Sequence, residues 1–320
     1  MDIMNEHITT GTGHSGLTNL GNTCYLNAAV QILSHMDELN KYLLNVTQLN
    51  RLNDSLLTIE WISLYKLMWS QNCIISPNRF VSKIKDLTQN KTTKFCNLEQ
   101  NDSNEYFYFM IDCIHNSLNK LDQTIKLPKT NNSELNKEID AYESKDCSII
   151  HSLFTSFLSY TYVNKETNLV EFTKYEPHFM IELSIPLVDN IRIEDCINFT
   201  FQNELLDTLW HDEKTNEKKQ LIKKTDFSYY PNILVIHFKR WIQMKKNKQI
   251  VHFDEILKLN NEIYELFGII NHEGNIFGGH YFSYIKKNKW FLFNDTNISE
   301  IQMQNIVSDK NYCLFYKKIK

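Results

Sequence analysis

With 320 residues, 42% of them hydrophobic and 12% aromatic, the chain has the material for a sizeable core in one large or two ordinary domains. A formal charge of -4 excludes the strongly basic balance that nucleic acid or an anionic membrane selects, and no apolar run approaches the roughly 18 residues of a membrane span. Seven cysteines, Cys24, Cys73, Cys96, Cys113, Cys147, Cys196 and Cys313, are odd in number, scattered and without a Cys-x-x-Cys pair, which points to a reducing compartment, cytoplasmic or nuclear, rather than to disulfides.

Residues 1–14 read as an N-terminal tail, in which Met1 to His7 lack the basic and apolar regions of a signal peptide. Helices are predicted near 24–36, 37–45, 56–70, 77–87 and 102–121. In the first, Leu26, Ala29, Val30, Leu33 and Met36 fall at helical spacing, and Asn22 and Thr23 offer short capping oxygens. In the last, Asp102 reads as N-cap before an apolar face of Tyr106, Phe109, Met110, Cys113, Ile114 and Leu118. From Leu121 to Asp146 the composition turns polar and predicts an exposed connection. Beyond Cys147 the pattern changes to strands: Leu153–Val163, His178–Ile185, Ile233–Lys239, Tyr264–Asn271, His280–Lys286, Trp290–Phe293 and Tyr312–Tyr316. Helices first and strands later predict an α+β fold. With 8 Gly and 5 Pro there is no linker composition to cut the chain, and no repeat is visible.

The chemistry begins at Cys24, in the first turn of the first predicted helix, where unpaired N–H groups and the helix dipole favour a thiolate. Taken alone, a cysteine is more often a small core residue. A partner changes that reading. In Gly278-Gly279-His280-Tyr281 two glycines leave an imidazole unobstructed at the start of a strand, and a returning strand, Trp290 to Phe293, ends at Asn294-Asp295. Such a hairpin sets Asn294 or Asp295 beside His280, where a side-chain oxygen can fix its tautomer.

These residues resemble the ubiquitin-specific proteases. Gly16-Leu17-Thr18-Asn19-Leu20-Gly21-Asn22-Thr23-Cys24-Tyr25-Leu26-Asn27 resembles their cysteine box, and Gly278-Gly279-His280-Tyr281 with Trp290-Phe291-Leu292-Phe293-Asn294-Asp295 their histidine box. Gln100-Asn101-Asp102-Ser103-Asn104-Glu105, Ile233-Leu234-Val235-Ile236-His237-Phe238-Lys239-Arg240-Trp241 and Asn311-Tyr312-Cys313-Leu314-Phe315-Tyr316 follow the family's order, so the likeness spans about residues 15–317. The resemblance implies a papain-like α+β fold shaped as a right hand, with a helical thumb over about 15–146 and β-rich fingers and palm over about 147–318. It implies hydrolysis after the C-terminal glycine of ubiquitin through an acyl-thioester on Cys24, with His280 as base and acid, Asn294 as orienting residue, Asn19 as oxyanion donor and Asp295 as an assisting residue. Asn19 can equally be a turn-former bonding its own backbone, and Asp295 a hairpin-end turn residue.

The implied partners are ubiquitin and ubiquitinated proteins. The family uses carboxylates at the positions of Asp102 and Glu105 to hold the arginines in ubiquitin's Leu-Arg-Leu-Arg-Gly-Gly tail, although both acids also suit an ordinary helix start. Gly274, Gly278 and Gly279, with Tyr281 and Trp290, would wall the slot that passes the two glycines. Lys239, Arg240 and Trp241 read as mainly structural. No cofactor is implied. Many relatives bind zinc at their fingertips through paired Cys-x-x-Cys motifs, but Tyr160–Lys165 and Trp210–Lys219 carry no cysteine and His211 stands without a thiol beside it, so no structural zinc is expected. Two alternatives stay open: the same chemistry on NEDD8 or SUMO, and a non-catalytic ubiquitin-binding module.

Overall fold

The computed structural model describes residues 11–89, 94–95, 99–213, 215–275 and 278–319. The predicted tail residues 1–10 and Cys96 lie outside them. In chain order the elements are β1 (Gly16–Leu17), α1 (Cys24–Ser34), α2 (Asp37–Leu44), α3 (Asn53–Ser70), β2 (Ile74–Ile75), α4 (Asn78–Thr88), α5 (Ser103–Leu118), α6 (Ser133–Lys145) and α7 (Ile149–Phe154). They continue with β3 (Ser156–Asn164), β4 (Val170–His178), β5 (Ile181–Ser184), α8 (Ile193–Thr200), β6 (Glu204–Leu205), β7 (Trp210–Asp212), β8 (Glu217–Lys219), β9 (Leu221–Tyr229) and β10 (Ile233–Lys239). The last are β11 (Trp241–Ile242), β12 (Lys245–Lys246), β13 (Ile256–Leu259), β14 (Glu262–Asn275), β15 (Gly278–Lys286), β16 (Trp290–Asn294), β17 (Asn297–Ile301) and β18 (Asn311–Lys318).

The main sheet runs β17-β16-β15-β14-β18-β10-β5, with β13 beside β14. Its inner face, with Ile270, Ile285, Phe293 and Phe315, forms one core with α1, α3, α4 and α5. Every residue of α1 is buried. Leu26, Val30, Ile32 and Leu33 give it apolar contact all round, at about 1.5–3 kcal/mol for each large side chain. Its polar residues are bonded as well: Gln31 Nε2 donates to Ser15 O (2.7 Å). A Cβ at Gly268 would lie 2.7 Å from Ile32 Cδ1, so glycine lets the sheet close onto this helix. The helix that carries Cys24 is therefore held from several sides. A second sheet, β4-β3-β9-β6, shares a small core of its own with Leu127, Leu135, Ile139 and Phe157.

Four expectations change. Residues 133–145 of the predicted connection form α6, capped by Asn132 and seated through buried Leu135 and Ile139. The predicted strand from Leu153 is preceded by a helical turn, α7, and begins at Ser156. The strand predicted over His178–Ile185 is only Ile181–Ser184, whereas β4 and β9 carried no apolar alternation and went unpredicted. Residues 11–14 of the predicted tail pack on the domain: Thr12 N donates to Asn72 Oδ1 (2.9 Å), and the His14 ring lies 4.4 Å from Phe291.

The stretches that the resemblance implies to be fingertips hold an ion cluster. Lys219 Nζ lies 2.7 Å from Asp212 Oδ2 and 3.0 Å from Glu171 Oε2, and Asn164 Nδ2 donates to Glu171 Oε1 (3.0 Å). Trp210 lies tilted against Phe172 (5.3 Å), which stacks on Tyr162 (4.5 Å). Among the described residues no group of three or more His, Cys, Asp or Glu is placed to hold a metal ion.

Candidate active site

Cys24 is the first residue of α1 and is buried. The predicted caps are used otherwise. Thr23 is the N-cap residue but makes no side-chain cap bond; its Oγ1 accepts from Leu20 N (2.8 Å) and donates to Asn19 Oδ1 (3.3 Å). Asn22 sits in the left-handed region, φ 56°. The first N–H groups of α1 are thus left without a side-chain cap beside the thiol, where they can meet negative charge. Asn19 makes the turn bonds of its own loop and one further tie. Its Oδ1 accepts from Gly21 N (3.1 Å) and Thr23 N (3.0 Å), shaping the loop, and its Nδ2 donates to Asp295 Oδ2 (3.0 Å). An amide nitrogen carries two hydrogens, so one remains for a substrate oxygen at this exposed position.

His280 lies on β15, and β16 runs antiparallel to it. Asn294 Oδ1 stands 2.6 Å from His280 Nε2. An amide oxygen only accepts, so Nε2 carries the proton and Nδ1 is left for the bonded Cys24 side chain. The Cys24 bond, the Asn294 bond and the charges of Cys24 and Asp295 outweigh burial and raise His280 from 6.5 to about 9. These contacts favour the protonated ring. Asp295 follows in the β16–β17 turn in the left-handed region, φ 51°, which Asp tolerates. Its Oδ1 accepts from Asn27 Nδ2 (2.7 Å), its Oδ2 from Asn19, and its carbonyl from Leu17 N (2.8 Å). Gly16 is required where β1 meets this turn, since a Cβ there would lie 2.6 Å from Thr296 O. Asp295 is thus both the turn residue and a tie from the histidine hairpin to the cysteine loop.

A family model described as ubiquitin carboxyl-terminal hydrolase matches residues 15–316. The chain belongs to that family. It is 29% identical over 357 residues to ubiquitin carboxyl-terminal hydrolase 2 of Bos taurus, covering 99% of this chain and 56% of the relative. It is 26% identical over 439 residues to the probable ubiquitin carboxyl-terminal hydrolase R319 of Acanthamoeba polyphaga mimivirus, covering 99% and 93%. The chain thus spans about half the length of the mammalian relatives it matches. Its fold is similar to a SAGA DUB module of Ubp8, Sgf11, Sus1 and Sgf73 bound to monoubiquitin, with TM-score 0.78 and 22% identity over 96% of this chain and 70% of that one. The likeness bears out the α+β fold that the sequence resemblance implied.

In this family member Asp102 is a fully satisfied carboxylate. Oδ1 accepts from Asn104 N (2.8 Å) and Glu105 N (3.1 Å), capping α5, and Oδ2 accepts from Tyr312 OH (2.5 Å) and Tyr281 OH (3.2 Å). Glu105 is half exposed and paired with Lys94 at 2.7 Å. Gly279 N donates to Gln100 Oε1 (2.8 Å), a contact from the loop before α5 to the strand entering His280. Gln100 stood in the quoted block without a role, and nothing in its spacing set it apart. A Cβ at Gly279 would lie 2.2 Å from His272 Nε2, and Gly274 has φ 129° with Gly278 O 2.5 Å from its would-be Cβ, so both positions require glycine. His272 is buried, held neutral at about 4 by burial and by Lys246. Trp290 does not wall this slot. It pairs with Lys286, at the end of the hairpin away from Asn294, is buried in the second core and donates to Glu255. Arg240 is structural: fully buried, it donates to the carbonyls of Asn311, Asn247 and Gln249. Among the described residues no helix is long and apolar enough to cross a membrane.

Proposed function

We propose that the chain is a thiol-dependent deubiquitinase. The observation that carries this is the Cys24–His280–Asn294 chain of contacts at an uncapped helix start. Cys24 attacks the carbonyl carbon of ubiquitin's last glycine, and the carbonyl electrons move to oxygen. Asn19 Nδ2 and the first N–H groups of α1 stabilise that oxyanion, a role in which one donor is worth about 3 kcal/mol. Collapse expels the amine, which takes the proton from His280 and leaves a thioester. Water, deprotonated by His280, hydrolyses it and restores the thiol.

The substrate assignment is supported by family membership and by a fold neighbour bound to monoubiquitin. It is also supported by a hollow of about 560 Å³ between α5, β3, β5 and β9, where Tyr108, Tyr160, Phe179, Glu182, Lys223 and Lys239 offer aromatic and charged contacts to a globular partner. Glu105, whose Lys94 partner is exchangeable at a half-exposed site, is the carboxylate proposed to bond an arginine of the ubiquitin tail. Asp102 adds negative field beside it, its hydrogen-bonding capacity being filled. Gly278, Gly279 and Tyr281 border the path of the two glycines.

The test is labelling with a ubiquitin probe carrying a C-terminal electrophile, read by mass spectrometry, with NEDD8 and SUMO probes in parallel. The expected result is a single adduct on Cys24 with the ubiquitin probe, abolished in Cys24→Ala. An adduct on another cysteine sinks the reading. Exclusive reaction with SUMO or NEDD8 moves it to the modifier concerned.

A further inference from the structure

We propose that Asp102 and Ser103 are positioning residues, a strap at the start of α5 that fixes the approach of His280 to Cys24. Each of these adjacent residues holds the chain neighbour of one member of the pair. Ser103 is fully buried, and its Oγ donates to the carbonyl of Tyr25 (2.7 Å), the residue after Cys24. Asp102 Oδ2 accepts from Tyr281 OH (3.2 Å), the residue after His280, and from Tyr312 OH (2.5 Å) on β18. Asp102 Oδ1 caps α5, so the carboxylate is rigid against the helix as well as against the sheet.

The nucleophile and the base come from different layers. Cys24 sits on a helix of the core and His280 on a sheet strand, and α5 packs against α1 while its first residues reach β15 and β18. The tyrosine hydroxyls stay protonated and so remain donors, because burial and the Asp102 charge both raise their pKa. Displacing either end of the strap shifts one reacting group against the other, and a misplacement of about 1 Å in such a pair can cost about a hundredfold in rate. Asp102 is in this view an internal clamp rather than a ligand for the substrate tail. The inference rests on Cys24 being the nucleophile.

The test uses Ser103→Ala and Tyr281→Phe, each of which removes one hydroxyl and leaves the α5 cap intact, with Ser103→Thr as the variant that keeps a hydroxyl. Two readouts are needed: the pH profile of Cys24 alkylation by iodoacetamide, and kcat and KM on a ubiquitin C-terminal amide. Both deletions are expected to slow alkylation at pH 7 about tenfold, to leave the rate at pH 10 unchanged, and to lower kcat about tenfold with KM within about twofold. Ser103→Thr is expected to recover most of the loss. The double variant is expected to be no worse than the poorer single one, since both break the same strap. Alkylation indifferent to either deletion overturns the strap, as does a rise in KM at constant kcat, which would make the helix start a tail-binding site. If Ser103→Ala does not fold, Tyr312→Phe replaces it with the same expected pair of losses. A Cys24 that is unreactive in the unmodified chain overturns both this inference and the hydrolase reading.

Discussion

Replacing Asp295 by Asn keeps the shape of the turn residue, and Asn tolerates the left-handed φ of 51° as readily as Asp. What changes is the chemistry toward two amides. The carboxylate accepts from Asn27 Nδ2 at 2.7 Å and from Asn19 Nδ2 at 3.0 Å, and an amide has one acceptor oxygen to replace the two. The shorter contact keeps the oxygen, so Asn19 faces an NH2 group and turns away from the oxyanion. Loss of one oxyanion donor costs about 2.7–4 kcal/mol; with Asn19 displaced rather than removed, about 2–3 kcal/mol is expected, or roughly 30- to 150-fold in kcat. KM for a ubiquitin amide should hold. Alkylation by iodoacetamide builds no tetrahedral oxyanion and should change less than about threefold, the residual reflecting the Asp295 charge that helps raise His280. The decisive measurement is a double-mutant cycle with Asn19→Ala. If Asp295 acts through Asn19, the double variant is about as slow as Asn19→Ala alone. Fully additive losses, or alkylation falling in step with hydrolysis, would refute the coupling and make Asp295 a partner of His280.

Asn294→Ala removes the acceptor that fixes His280 Nε2 and one of the bonds that raise its pKa; the ring then becomes neutral at lower pH, and both alkylation at pH 7 and hydrolysis should fall, by about a hundredfold for hydrolysis, whereas Asn294→Asp should retain most activity. Lys219→Met breaks the fingertip pairs to Glu171 and Asp212 and should raise KM for ubiquitin a few-fold at constant kcat, whereas a strong chelator should leave melting temperature and activity unchanged; near-equimolar zinc by elemental analysis would contradict this, with His211 the first ligand to test. Glu105→Lys should cost about 1.5–3 kcal/mol, roughly ten- to a hundredfold in kcat/KM on ubiquitin substrates, and leave a small uncharged Gly-Gly ester unaffected; equal losses on both would reduce Glu105 to a helix-start acid.

The site was legible where local pattern and geometry coincide. Cys24 opens α1 because apolar spacing starts there, and Asn294 reaches His280 because a short hairpin dictates its register. What was not legible depends on contacts distant in sequence. Thr23 looks like a cap but is turned toward Asn19 and Leu20, and Trp290 looks close to His280 in a motif but the register sends it to the other end of the strand. The tie from Asp295 to Asn19 spans 276 residues and leaves no periodic trace. In the fold, β4 was missed because none of its residues is buried, so no alternation marks it. Helix α6 was missed because its apolar stripe is narrow, with Leu135 and Ile139 one turn apart, and the Asn132 cap lies in a run that otherwise reads as loop.

The causes of the His280 shift fit the proposal that one ring serves as both acid and base. The largest is the bond to Cys24, which together with Asn294 and Asp295 raises it to about 9, while burial pulls the other way. In the mechanism proposed above, that bond helps hold on the ring the proton that the leaving amine will need. When Cys24 bonds to carbon in the proposed thioester, the main raising cause is lost, while burial, the Asn294 bond and the Asp295 charge remain. The proton becomes easier to surrender when the leaving amine needs it, and the neutral ring that results is ready to take one from water. A neutral amide at position 294 suits this cycle. It orients Nε2 through its oxygen without adding a fixed charge in direct contact. The nearby negative charge belongs to Asp295, whose oxygens are committed to Asn19 and Asn27, so it acts on the ring from a distance and on the oxyanion side through Asn19.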